Sequence, residues 1–134
     1  MMEERIRQTD LPTVAALAYL GDAVHSLDIR RRAVLLGHGK SGVLHRFSAD
    51  IVCAAAQAAM LTAIEERLTD EERELCHRAA NSKHLKPPKH ASDADYRRAT
   101  AFEALLGMLS YLGREERLGE LLELSYQSYK GELL

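Results

Sequence analysis

The sequence predicts an all-helical fold, and two features carry that prediction. Hydrophobic residues make up 46% of the 134 positions, yet aromatic residues are only 5% and tryptophan is absent. Leucine and alanine must therefore fill most of the core, and both favour helices, with alanine depleted in strands. Apolar residues also recur at helical spacing, while no segment shows a convincing alternation of period two.

The first two predicted helices cover roughly the first half of the chain. The first should begin after Thr9-Asp10-Leu11-Pro12, which offers a side-chain cap and a first-turn proline, and should end near Gly37. A second helical stretch is predicted from Val43 to Leu68. Its alanine-dense middle, residues 54–59, suits close packing of helices.

Three further helices are predicted in the second half. Thr69 and Glu72 have the spacing of a capping box, which predicts a helix that ends near Asn81. Residues 82–92 are too polar and too interrupted by proline to form a helix. The next helix should be capped by Ser92 or Asp93 and closed by Gly113, and the last should cover Arg114 to about Tyr129. The first of these two should point inward the side chains of Tyr96, Phe102, Leu105, Leu106 and Leu109.

Length and composition limit the classes of protein to consider. A chain of 134 residues fits a single domain over residues 1–134. The net charge of −2 gives no sign of nucleic-acid binding, so a site for a polyanion would need local clustering of charge. The charged start of the chain and the lack of a long apolar run predict a cytoplasmic protein without membrane contact, in which Cys53 and Cys76 are free thiols.

Two carboxylates interrupt apolar helical runs and are candidates for chemistry. These are Asp22 and Glu103, and no lysine or arginine lies one turn from either. A buried, unpaired carboxylate costs several kcal/mol, so each needs a partner. A metal ion shared between two packed helices would serve both, whereas a distant arginine or a helix end is the structural alternative. Oxygen ligands of this kind favour Mg²⁺, with Mn²⁺ as a possible substitute, over zinc.

A basic segment precedes the second of these carboxylates. Residues 77–98 hold six basic and two acidic side chains, a net charge of +4, whereas residues 65–74 have a net charge of −4. Such a segment beside a carboxylate site would suit a phosphodiester substrate, although a solvated surface loop has the same composition. The candidate RNA-binding residues are Arg78, Lys83, Lys86, Lys89, Arg97 and Arg98.

Three aromatic or imidazole side chains near the carboxylates have simpler explanations. His25 lies one turn from Asp22 and could bond to it or to a water, but a structural role fits better. Tyr19 and Tyr96 could line a cleft, but we expect them to pack in the core.

Two segments resemble the catalytic segments of the ribonuclease III family. Leu20-Gly21-Asp22-Ala23-Val24 is similar to the signature segment of that family, and residues 102–107, Phe-Glu-Ala-Leu-Leu-Gly, are similar to its second catalytic segment. Their order and wide separation also agree. Residues 17–22, 81–83 and 96–103, together with the short chain, resemble the Mini-ribonuclease III branch, which lacks a separate domain for binding double-stranded RNA.

The resemblance implies a helical endonuclease domain that uses magnesium to cut double-stranded RNA. It implies catalytic and metal-binding roles for Asp22 and Glu103, 5′-phosphate and 3′-hydroxyl products, and a homodimer that cuts both strands. It further implies maturation of the 23S ribosomal RNA precursor, which a ribosomal protein could present to the enzyme. Larger family members have additional carboxylates where this chain has Ala15, Ala18 and Thr100, so only two carry over.

Two other functions are compatible with the sequence. A non-catalytic helical module could bind structured RNA during ribosome assembly, and the missing carboxylates favour that reading. A helical adaptor between proteins could hold Asp22 and Glu103 in ordinary ion pairs. Cleavage that depends on a divalent ion separates the first from an enzyme, and RNA affinity that weakens with salt separates the second from both.

Overall fold

The computed structural model describes residues 10–82 and 92–133, and all regular structure in these ranges is helical. This confirms the predicted all-α class, with six α-helices in place of the five predicted. A short 3₁₀ turn, Glu65–Arg67, follows the third helix. The helices are α1 (Val14–Leu35), α2 (Ser41–Ile51), α3 (Ala54–Ile64), α4 (Asp70–Ala80), α5 (Asp93–Tyr111) and α6 (Glu115–Tyr129).

Side-chain caps fix the start of three helices. The Thr69 hydroxyl accepts from the Glu72 backbone at 3.2 Å and the Glu72 carboxylate accepts from the Thr69 backbone at 2.9 Å, so the capping box is confirmed. Ser92 caps α5 by accepting from the Asp95 backbone. The predicted cap of α1 was wrong, because Thr13 accepts from the Ala16 backbone at 3.1 Å and the helix starts after it.

The predicted helix from Val43 to Leu68 is broken. Val52 and Cys53 leave the helical conformation, and the chain bends by 52° between α2 and the segment from Ala54 to Arg67. β-branched residues at the break lower helix propensity only slightly, so the break depends on packing: α2 lies against α1, whereas α3 packs on α5 and α6. Apart from this bent pair, no described helix is long and apolar enough to be considered for crossing a membrane.

Helix α5 lies at the centre of the described structure. It packs against α1, α3, α4 and α6, and every residue from Ala99 to Leu109 is buried except Glu103, which is half-buried. Phe102, Leu105, Leu106 and Leu109 point inward as predicted. Glu103 is therefore the one position in this stretch where α5 presents a side chain towards the surface.

Two glycines let the backbones of α1 and α5 touch. A Cβ atom added to Gly21 would overlap the carbonyl oxygen of Glu103, and one added to Gly107 would overlap the carbonyl oxygen of Leu17. No side chain can be accommodated at either crossing point without moving a helix backbone. Because Asp22 follows Gly21, this contact also sets the distance between the two candidate carboxylates.

Two glutamates of the acidic run of residues 65–74 are paired with arginines within the fold. Arg117 on α6 donates to both carboxylate oxygens of buried Glu72, at 2.7 and 2.9 Å. Arg114 pairs with Glu71 at 3.1 Å. These ion pairs join α4 to the start of α6, so Glu71 and Glu72 have a structural role.

Replacement of Gly107 or Gly21 by alanine should destabilise the protein strongly. Forcing a methyl group against a helix backbone separates α1 from α5, and overpacking of this kind costs about 1–3 kcal/mol or more. Gly119 is the matched control, because it is an exposed position inside α6 where a Cβ meets nothing; Gly119→Ala should stabilise by up to about 1 kcal/mol. Urea unfolding measures all three, and equal stabilities of Gly107→Ala and Gly119→Ala would contradict the close contact.

Candidate active site

The carboxyl groups of Asp22 and Glu103 meet where α1 crosses α5. Glu103 is half-buried and its carboxyl group hydrogen-bonds to that of Asp22. Asp22 is exposed, so the expectation that both side chains are buried was wrong for this one. The structure thus brings together the two carboxylates singled out from the sequence, although their roles stay a prediction.

The environment of Glu103 favours its protonated form. Burial raises the pKa of Glu103 to about 8, and the hydrogen bond to Asp22 and the negative charge of Asp22 act in the same direction. The polar side chain of Gln57 acts in the opposite direction. In the protein without a bound cation, a neutral Glu103 carboxyl can donate to the Asp22 carboxylate at neutral pH.

The oxygen atoms of this pair fit a divalent cation. Within residues 10–82 and 92–133, no lysine or arginine forms an ion pair with Asp22 or Glu103. The same ranges contain no cluster of three or more histidine, cysteine or acidic side chains placed to hold a metal. Two carboxylates with no cationic partner suit Mg²⁺, which keeps several water molecules when few protein ligands are present.

A buried glutamine beside His25, Gln57, escaped the sequence analysis. Gln57 and His25 are 3% and 1% exposed, and the Gln57 amide nitrogen lies 3.0 Å from His25 Nδ1. Burial lowers the pKa of His25 to about 4, so its ring is neutral, in keeping with the structural role expected for it. The available signal was that Gln57 is the single polar residue among the alanines of residues 54–59.

The two arginines of α5 in the basic segment bind groups on neighbouring parts of the fold. Arg97 donates to the carbonyl oxygens of Ala80 and Ser82 at 3.0 and 3.2 Å and pairs with Asp93. Arg98 donates to the Thr62 hydroxyl at 3.0 Å and pairs more loosely with Glu65. Both guanidinium groups therefore have partners inside the protein.

The remaining basic candidates differ in what the structure describes. Arg78 is exposed near the end of α4. Lys83, Lys86 and Lys89 lie outside the described residues. Arg97 binds the carbonyl oxygen of Ser82, so it joins the two flanks of residues 83–91. RNA contact by any of these six residues stays a prediction.

The two tyrosines near the site occupy different environments. Tyr19 is 85% exposed on α1, so the expectation that it packs in the core was wrong. Tyr96 is half-buried and lies two turns before Glu103, on the same face of α5. A sequence pattern cannot separate an aromatic residue that faces the core from one that is exposed.

Comparisons with known proteins agree on one family. Residues 15–114 match the Ribonuclease III domain. The chain belongs to the ribonuclease III family. Its members are endoribonucleases, which supports endoribonuclease activity in this chain.

Curated relatives and a solved structure support this assignment. The chain is 38% identical to Mini-ribonuclease 3 of Brevibacillus brevis over 130 residues, which cover 97% of each chain. It is 43% identical to Mini-ribonuclease 3 of Enterococcus faecalis, over 80% of this chain and 83% of the relative. A crystal structure of a protein from Fusobacterium nucleatum matches with a TM-score of 0.81 and 28% identity, over 96% of this chain and all of that one.

Larger members of the ribonuclease III family carry additional acidic residues near this site. At the corresponding positions this chain has residues whose side chains do not ionise. Thr100, three residues before Glu103, donates its hydroxyl to the Tyr96 carbonyl oxygen at 2.9 Å. Ala15 is exposed and Ala18 is half-buried on α1. The site of this family member therefore has two carboxylates at the α1–α5 crossing.

The raised pKa of Glu103 predicts a measurable dependence of stability on pH. Its folded-state pKa of about 8 exceeds the ordinary value of 4.5, so the folded protein binds the extra proton and loses stability as pH rises towards 8. His25, with a lowered pKa, contributes only below about pH 6.5. In chelator, the free energy of unfolding should therefore fall by roughly 1 kcal/mol between pH 6.5 and 8.

Glu103→Gln should remove this fall, and Glu116→Gln, an exposed change on α6, should retain it. Urea unfolding at three pH values measures the slope. An identical slope in the wild type and in Glu103→Gln would contradict the assigned environment of Glu103.

Proposed function

We propose that this chain is a magnesium-dependent endoribonuclease that cuts double-stranded RNA in the cytoplasm. The observation that carries the proposal is the contact between the Asp22 and Glu103 carboxyl groups on two helices whose backbones touch. Membership of the ribonuclease III family supports the reaction class. The products are expected to carry 5′-phosphate and 3′-hydroxyl ends.

Asp22 and Glu103 would hold Mg²⁺, which when bound supplies Lewis-acid polarisation of the scissile phosphate and lowers the pKa of water. The protein supplies a fixed pair of oxygen ligands, because both side chains project from packed helices. Glu103 must lose its proton to bind the cation, so cation binding at neutral pH should release a proton. Exposed Asp22 leaves the pair open to a large substrate.

The basic segment gives the protein a surface for the RNA backbone. We propose that Arg78, Lys83, Lys86 and Lys89 contact phosphates and 2′-hydroxyl groups, with Arg97 and Arg98 nearby. Duplex RNA is read mainly by shape across its shallow minor groove, so little base specificity is expected. The natural substrate we propose is the 23S ribosomal RNA precursor, which a ribosomal protein could present.

A homodimer accounts for an exposed apolar face beside Asp22. Tyr19 and Leu27 are 85% and 67% exposed on α1, and Ala16 and Ala23 continue the same face at helical spacing. Exposed apolar faces of this kind mark interaction sites. A second copy on this face would place two carboxylate pairs in one assembly, as cleavage of both strands of a duplex requires.

Cleavage of a labelled RNA duplex tests the enzymatic part of the proposal. The wild type should cut both strands in Mg²⁺ and neither in chelator. Asp22→Asn and Glu103→Gln should each lower the rate at least about 100-fold, since loss of a ligand exceeds the 10–100-fold effect of an outer-shell partner. Asp50→Asn, an exposed change on α2, is the control and should cut normally.

A duplex stem from a 23S precursor, assayed beside an unrelated duplex, tests the proposed natural substrate. If folded wild-type protein shifts several duplexes on a native gel but cuts none in Mg²⁺, the non-catalytic RNA-binding module replaces the enzyme.

Tyr19→Glu should convert the dimer into a monomer, because a charge would be buried in the apolar interface. Tyr111→Glu makes the same change at a tyrosine that is 56% exposed at the end of α5, on a different helix from Tyr19, and should leave the dimer intact. Analytical ultracentrifugation measures the mass of each variant. A monomeric wild type at micromolar concentration would remove the homodimer from the proposal.

A further inference from the structure

The corner where α1 ends and α2 begins carries a second concentration of positive charge. Residues 29–49 contain no aspartate or glutamate, whereas five of their side chains are arginine or lysine: Arg30, Arg31, Arg32, Lys40 and Arg46. All of these residues lie in the described part of the chain. The corner is separate in sequence from the basic segment of residues 77–98, so it needs an explanation of its own.

Arg32 is engaged inside the fold. Its guanidinium pairs with Asp28 at 2.8 Å and with Glu123 on α6 at 2.9 Å, and it lies over the ring of Tyr126. This arginine therefore joins α1 to α6 and neutralises two nearby acids. It leaves the other cations of the corner without those acids as partners.

The other cations of the corner face solvent. Arg30, Lys40 and Arg46 are exposed, and none of them forms an ion pair with a described residue. Asp50 is the acid that lines a groove with Lys40 and Arg46, and it is not paired with either. Arg31 is also exposed, but it continues the proposed dimer face of α1 at helical spacing.

The exposed cations form a continuous band across α2. Arg30 and His45 line one groove, between the end of α1 and one side of α2. Lys40 and Arg46 line a second groove, on the opposite side of α2. Because His45 and Arg46 are neighbours on that helix, the two grooves join over its exposed surface. These four residues are called the basic band.

The basic band begins on the row of α1 side chains that contains Asp22. Residues four apart share a helix face, so Asp22, Ser26 and Arg30 form one row. At 1.5 Å per residue, Arg30 lies about 12 Å beyond Asp22 along the helix axis. Tyr19 and Leu27 belong to the neighbouring row, so the basic band and the carboxylate pair lie on the same side of the proposed dimer face.

We propose that the basic band binds the phosphate backbone of a duplex RNA held at the carboxylate pair. The inference rests on the proposed function and adds a second contact surface to it. A distance of about 12 Å corresponds to only a few base pairs of a duplex, so a bound duplex can reach both places. Cations without acidic partners suit a polyanion. An acidic protein that covers the exposed Val34 and Val43 is the alternative occupant.

The salt dependence of RNA binding counts the phosphate contacts, and chelator keeps the RNA uncut during the measurement. Arg30→Gln, Lys40→Gln and Arg46→Gln should each lower the slope of log affinity against log salt concentration by about 1. The matched control is Lys130→Gln, since that lysine is exposed at the end of α6 and pairs only with Glu132. The control should leave the slope unchanged.

Two triple variants separate charge from fold. The triple glutamine variant should lower the slope by about 3 and weaken binding at low salt at least about 10-fold. The triple variant Arg30→Lys, Lys40→Arg and Arg46→Lys keeps each charge and should retain the wild-type slope. Both should unfold within a few degrees of the wild type, because surface substitutions usually change stability by less than about 0.5 kcal/mol.

Kinetics and metal binding distinguish a backbone contact from an effect on the carboxylates. In Mg²⁺, the triple glutamine variant should lower kcat/KM about 10-fold through a higher KM, as expected for a contact made equally in the ground state and the transition state. Its affinity for Mn²⁺ without RNA, followed by electron paramagnetic resonance, should equal that of the wild type. Asp22→Asn should instead lower kcat and weaken Mn²⁺ binding.

The outcomes distinguish this inference from the proposed function. If the wild type binds and cuts the duplex but the triple glutamine variant keeps the same slope and affinity, the basic band serves another partner and the inference fails alone. An equal loss of slope in Lys130→Gln or in the charge-conserving triple variant would also overturn it. If the wild type binds no duplex at low salt, the proposed function fails and this inference fails with it.

Discussion

The backbone contact between α1 and α5 is the constraint on which the rest of the structure depends. Gly21 lies against the Glu103 carbonyl oxygen and Gly107 against that of Leu17, so each helix presents a glycine to the other. Because the contact is between backbones, it fixes the helices more firmly than a layer of side chains would. Asp22 follows one contact residue and Glu103 is itself another, so a single crossing sets both the packing and the site.

This crossing forces together two carboxyl groups that would otherwise separate. Elsewhere in the fold, an arginine forms an ion pair with the carboxylate, as Arg117 does with Glu72 and Arg114 with Glu71. At the crossing, the described residues supply no such partner, and Glu103 is instead held with a raised pKa. The contrast argues that the pair is not part of the structural ion-pair network. A cation would relieve a repulsion that the locked helices cannot relieve by moving.

The all-helical fold, the cap at Thr69 and the inward face of α5 could be predicted from the sequence, because each depends on residues that are close together in the chain. Such local signals did not predict the break at Val52–Cys53, which serves packing of α3 on distant helices. The juxtaposition of Asp22 and Glu103 followed from resemblance and from the lack of local partners. Gln57 was missed, and the exposure of Tyr19 was wrongly predicted, since only the three-dimensional packing separates a polar core residue or an outward aromatic from its neighbours.

Helix α5 carries Glu103, and through Arg97 it also anchors the end of α4. The bonds of Arg97 to the carbonyl oxygens of Ala80 and Ser82 tie the end of α4 to the first turns of α5, so the flanks of the basic residues 83–91 are fixed to the helix that holds the carboxylate. Those partners also occupy the donors of Arg97, while Arg98 is directed to α3. In our proposal, Arg97 and Arg98 therefore contribute less to phosphate contact than their charge alone would suggest. Anchoring and binding are then divided between residues that sequence composition alone had grouped together.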